Sequence, residues 1–148
     1  MKKFKLVLAM LALVLAFGLA FVGCKNEPDM PKSITVTGIN KTGITTNAVV
    51  NVISNEGDEN YQGQVAEGRG IIVNQTLSID LYKWTADGGR SQEPWTGRGK
   101  WVFRLNLRAS SDNHQMTYFW KGGEKYDIKD AVTTLNFADF VLVWEEGQ

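Results

Sequence analysis

Apolar and polar residues alternate with period two along most of this chain, a pattern that predicts β-strands rather than helices. Residues 100–108 carry it most strictly: Trp101, Phe103, Leu105 and Leu107 share one face, and Arg104, Asn106 and Arg108 the other. Such alternation predicts a strand with one side buried and one side wet, as antiparallel sheets allow. Residues 75–84 read the same way, with Leu77, Ile79 and Leu81 opposed to Ser78, Asp80 and Tyr82. Further strands are predicted over 34–39, 47–54, 62–67 (closed by Gly68-Arg69-Gly70) and 116–120. Residues 137–145 include the unbroken apolar run Phe140-Val141-Leu142-Val143-Trp144, which predicts a strand covered on both faces, central in its sheet. Residues 126–133 are weaker, and a short helix over 129–135 is the alternative there. Polar turns fall at 40–43, 55–60, 110–113 and 121–124, and a long Gly-rich loop spans 85–99.

Seven or eight short strands, with turn signals about every ten residues, predict an all-β domain over 34–148. The expected architecture is an antiparallel two-sheet β-sandwich, with a small β-barrel as the alternative. Long helical periodicity is absent, and the two Gly-Arg-Gly segments (68–70 and 97–99) have flanks too different to mark a repeat.

The N-terminus follows another rule. Lys2, Lys3 and Lys5 precede an uncharged apolar stretch over 6–22, then Gly23 and Cys24, and polarity returns at Lys25-Asn26-Glu27-Pro28-Asp29. Charge, apolar stretch and small residue are the ordered parts of a secretory signal. The residues Phe21-Val22-Gly23-Cys24 resemble the cleavage box of bacterial lipoprotein signal peptides, with Phe21 where the usual residue is Leu. The resemblance implies that residues 1–23 are a signal peptide removed before Cys24. The Cys24 thiol would then carry a diacylglycerol and the new amino group a further acyl chain such as palmitate. Residues 24–33 would be the lipidated cysteine and a polar, Pro-containing tether. Two or three acyl chains give lasting attachment where one gives only marginal binding. The implied address is the cell envelope, outside the cytoplasm, on the outer membrane or cell surface. An uncleaved helix is the alternative, since the stretch is close to the roughly 18 residues of a membrane span. Three mature segments, Ile34-Thr35-Val36-Thr37-Gly38, Trp95-Thr96-Gly97-Arg98-Gly99 and Phe137-Ala138-Asp139-Phe140, also resemble parts of short β-rich lipoproteins of spirochaetes. That likeness implies a fold and an address, not a mechanism.

The formal charge of zero balances 16 Lys and Arg against 16 Asp and Glu. Three of the cations lie in the first five residues, so the remainder holds 13 against 16, a formal charge of −3. No excess of basic residues speaks for nucleic acid. Cys24 is the only cysteine, so a lipidated protein has no disulfide and no thiolate metal site. With His114 the only histidine, no zinc site is expected, and no cofactor or metal is expected of any kind.

Candidate chemistry is sparse. Ser110, Ser111, Asp112 and His114 hold the residue types of a hydrolytic triad, but they are also those of a surface turn. Glu56, Asp58 and Glu59 cluster without the spacing of a calcium loop. Asp80, Asp87, Glu93, Asp130 and Asp139 offer carboxylates with no pair singled out for glycoside hydrolysis. Five tryptophans stand out: Trp101, Trp120 and Trp144 read as core, whereas Trp84 and Trp95 border or lie in the long loop, as a ligand-binding platform would. The expected function is a membrane-anchored lipoprotein with a non-enzymatic binding or surface role and a glycan or protein partner. A carbohydrate-binding module using Trp84 and Trp95 is one alternative; an unrecognised enzyme or inhibitor is another. Exposure of Trp95 beside a groove would favour the module. Burial of Trp95, with an apolar patch or open sheet edge elsewhere, would favour a scaffold role.

Overall fold

The computed structural model describes residues 29–40, 46–54, 63–109 and 114–146. Over these residues the chain is a β-sandwich of two packed sheets, with no α-helix. The small sheet holds β1 (Ser33–Thr37), β4 (Leu77–Asp80) and β10 (Val132–Asn136) in the order β10-β1-β4. The large sheet is built from β2 (Thr46–Ile53), β3 (Gln64–Ile71), β5 (Tyr82–Trp84), β6 (Arg90–Pro94), β7 (Gly99–Ala109), β8 (Gln115–Trp120) and β11 (Phe140–Glu146). Its order is β11-β8-β7-β2-β3-β5-β6, and β9 (Tyr126–Ile128) pairs with the first residues of β7. Pairing is antiparallel throughout except between β1 and β10, which run parallel.

There are more strands than the pattern predicts, because the expected strands 75–84 and 126–133 each divide and the expected loop 85–99 contains another. Residues 75–84 are not one strand: β4 ends at Asp80 in the small sheet and β5 begins at Tyr82 in the large one. Buried Leu81 is the crossing point. The expected loop 85–99 contains β6, folded back on β5 through a turn in which Thr85 Oγ1 donates to the Gly89 carbonyl (2.7 Å). The alternative helix at 129–135 does not form; β10 stands there, followed by a single 3-10 turn, Phe137–Asp139. The Asn136 side chain caps that turn, accepting from the Ala138 N–H at 3.0 Å.

The core lies between the sheets, where the alternating residues of both meet. The small sheet contributes Ile34, Val36, Leu77, Ile79 and Leu135, all buried; the large sheet faces them with Val50, Val52, Phe103, Leu105 and Leu107. At one end Trp120 meets Tyr126 and Phe140 edge-on, with centroids 5.5 and 5.6 Å away. These contacts favour edge-to-face geometry because ring edges are positive and ring faces negative.

Gly68 and Gly70 do not close β3; the strand runs through them to Ile71. Their missing side chains let the sheets approach. A Cβ at Gly68 would stand 2.7 Å from the Asp80 carbonyl oxygen, and one at Gly70 would stand 2.6 Å from Ile79 Cγ2.

The expected tether is partly inside the fold. Ser33 already belongs to β1, and Lys32 is 2% exposed. Lys32 Nζ donates to the carbonyls of Lys129 and Asp130 (3.3 and 3.0 Å). Its backbone closes a ring of three hydrogen bonds: Lys32 N–H to Trp95 O, Trp95 N–H to Leu81 O, and Leu81 N–H to Lys32 O, each 2.9 Å. Among the described residues no helix is long and apolar enough to cross a membrane. The apolar N-terminal stretch and Cys24 lie outside the described residues.

The largest departure concerns β11. The apolar run predicts a central strand, but β11 is the edge of the large sheet, paired only with β8 among the described residues. Val141, Leu142, Val143 and Trp144 are all exposed, Trp144 by 46%, so Trp144 is not a core residue.

Candidate functional site

The two tryptophans expected as a binding platform do not form one. Trp95 is 6% exposed and belongs to the core; its ring meets Trp101 edge-on at 5.6 Å. Gly97 closes over it so tightly that a Cβ at that position would stand 2.3 Å from Trp95 Cζ2. The hydrogen-bonded ring with Lys32 and Leu81 draws residue 95 inward, which is why a loop position yields a core side chain. Trp84, in β5 opposite Arg90, is half-buried and lacks its expected companion.

The other candidates are scattered. His114 Nε2 lies 2.7 Å from Glu145 Oε1; Ser110, Ser111 and Asp112, like Glu56, Asp58 and Glu59, fall outside the described residues. Glu93 is exposed and bound to Lys83 Nζ at 2.7 Å, and that hydrogen bond and charge hold its carboxyl below the usual range. Asp87, in the β5–β6 turn, is also held low, by the Thr85 side chain and its own backbone N–H. Among the described residues no three His, Cys, Asp or Glu side chains gather where a metal ion could sit.

A groove of about 980 Å³ lies instead on the face of the large sheet turned away from the small one. Residues opposite each other in an antiparallel pair stand on one face, about 4.5–5.5 Å apart. The registers therefore define rows running across β11, β8, β7, β2 and β3. One row is Trp144, Thr117, Asn106, Val49 and Arg69. On one side of it runs Val141, Phe119, Arg104, Asn51 and Glu67, and on the other Glu146, Gln115, Arg108, Asn47 and Ile71. The bulge between Leu142 and Trp144 brings Val143 to the rim as well.

The middle of this face is a continuous hydrogen-bonded network centred on Asn51, which is fully buried. Asn51 Oδ1 accepts from Arg104 Nε and Nη2 (3.3 Å each) and from Asn106 Nδ2 (2.7 Å). Its Nδ2 donates to Glu67 Oε2 (3.3 Å). Arg104 Nη2 also reaches Gln64 Oε1 (3.5 Å), and Gln64 Nε2 donates to Glu67 Oε2 (3.5 Å). Arg69 Nε donates to Glu67 Oε1, and Thr117 Oγ1 to Asn106 Oδ1 at 2.9 Å. Arg104 and Glu67 are 5% and 3% exposed, so the face that alternation predicts to be wet is closed at its centre. Among the described residues no buried side-chain nitrogen or oxygen lacks a partner. Around this floor Arg69 and Arg108 remain exposed, with Trp144 at one end and half-buried Phe119 between.

The sequence did carry a signal for this site. Asparagine is depleted in strands, yet Asn47, Asn51 and Asn106 occupy strand positions, with Arg104 and Arg108 on the same side of β7 as Asn106. Comparison of the chain with protein-family models, curated proteins and solved structures finds no match.

Proposed function

We propose that this protein is a lipid-anchored, extracytoplasmic component of a bacterial envelope that acts by binding, through the groove on its large sheet. The observation that carries the binding role is the groove floor. A mutually hydrogen-bonded set of Asn51, Glu67, Arg104 and Asn106 fixes its own rotamers and, through Glu67, holds exposed Arg69 in place. Preorganisation of this kind lowers the ordering cost of a ligand. It does not supply bond-making chemistry: the hydroxyl in the network, that of Thr117, donates to an amide oxygen rather than to a base. The anchor rests on the N-terminal pattern ending in Val22-Gly23-Cys24.

The anchor is tested by labelling cells with radioactive palmitate. The wild type is expected to label and to migrate as a processed band, and Cys24→Ala to do neither; normal processing of Cys24→Ala would overturn it. Binding is tested by sedimentation of the detergent-solubilised full chain with delipidated envelope fragments of the native bacterium. Retention is expected for the wild type and should be lost in Arg108→Glu, whose exposed side chain leaves the fold intact. Equal retention of the two, or none of either, would overturn the groove as a binding site.

A further inference from the structure

We infer that the ligand of this groove is an acidic polysaccharide lying across the strands, an inference that rests on the binding role above. Charge is the first observation. Three arginines, Arg69, Arg104 and Arg108, line the groove against one carboxylate, Glu67. Glu67 is satisfied within the floor by Arg69, Asn51 and Gln64. The further carboxylate on this face, Glu146, lies past Gln115 at the end of its row and outside the groove lining. A net positive groove thus sits on a mature chain that is acidic overall. Arginine cannot lose its proton in a protein, and its planar fork matches carboxylate and sulfate groups.

Direction is the second observation. The groove crosses five strands, so it is about 19 Å long at about 4.8 Å per strand spacing. That suits an oligomer rather than a single ring. Its floor strands β8, β7 and β2 are each paired on both sides. A peptide added as a strand needs a free sheet edge, and the groove floor offers none. Recognition on that floor falls to side chains. These are the Gln115 amide and the arginines for hydroxyls and acid groups, with Trp144 exposed at one end as a flat apolar surface for a sugar ring.

The test measures binding of the full chain, purified in a non-ionic detergent, to four polymers: polygalacturonate, dextran sulfate, neutral dextran and poly-glutamate. Binding is expected to one or both acidic glycans, falling as salt rises, and not to dextran or poly-glutamate. Arg108→Gln and Trp144→Ala should each weaken it roughly tenfold or more, with unchanged thermal unfolding. Binding to poly-glutamate as tight as to the glycans, and indifferent to Trp144→Ala, would overturn the inference in favour of an acidic peptide. Equal binding to neutral dextran would overturn the charge argument, and glycan binding untouched by either variant would place it elsewhere on the protein. Binding to none of the four, while Arg108→Glu still abolishes retention on envelope fragments, would overturn the ligand class alone and leave the binding role standing.

Discussion

Trp95 shows how far a single residue can depart from its local setting. It sits among Glu93, Pro94, Thr96 and Gly97, a composition that reads as an exposed loop, yet its backbone is tied to Leu81 and Lys32 and its ring packs on Trp101. Deleting a buried aromatic ring costs about 3–5 kcal/mol. Trp95→Ala is therefore expected to lose about that much stability, and half-buried Trp84→Ala clearly less, as read by urea denaturation. Equal losses would mean that Trp95 is not held in the core. Arg104 departs in the opposite sense. Alternation sends it to the wet side of β7, and it is on that side, but Asn51 and Gln64 close around its guanidinium. Period two assigns a face; it does not say whether that face is open.

At the scale of elements, β3 and β11 carry the lesson. In an ordinary strand, Gly→Ala is stabilising by roughly 0.5–1 kcal/mol because glycine loses more backbone freedom on folding. Gly68 should reverse that sign. The Asp80 carbonyl stands where its Cβ would go, and a backbone oxygen cannot swing aside. Gly68→Ala is expected to destabilise by about 1–3 kcal/mol, as overpacking does, measured by thermal or urea unfolding. A stabilised variant would contradict the close approach of the two sheets. β11 joins an apolar run to a sheet edge, a combination that invites edge-to-edge pairing. Two features of the strand oppose it: the bulge at Val143 and the charged pair Glu145-Glu146 at its end. The same bulge sets Val143 and Trp144 at the groove rim. A central strand would have enclosed both residues and left the groove without its apolar end.

Across the whole molecule, the segment entering the domain locks the two sheets together. Lys32 joins the crossing point at Leu81 to Trp95 and reaches the carbonyls before β10 with its ammonium group. A soluble chain beginning at Ser33 should therefore be less stable than one beginning at Lys25, by at least about 2 kcal/mol, because the partners of Lys32 are left unpaired. Urea midpoints of the two chains check this, and equal midpoints would return residue 32 to the tether.

What the sequence determined by itself is local: the strand periodicity over 34–37, 47–53 and 100–108, the turn at 121–124 and the all-β class. Each follows from residues a few positions apart, through the two-residue pleat that sorts side chains to opposite faces. What the tertiary structure decided is non-local. Whether the apolar run 140–144 lies at the centre or the edge depends on which strand pairs beside β8. Whether Asn51, Glu67 and Arg104 form a floor depends on β7, distant in sequence, meeting the consecutive strands β2 and β3 in one register. Burial and charge pairing are properties of neighbours, and neighbours across a sheet are set by pairing that no single segment encodes.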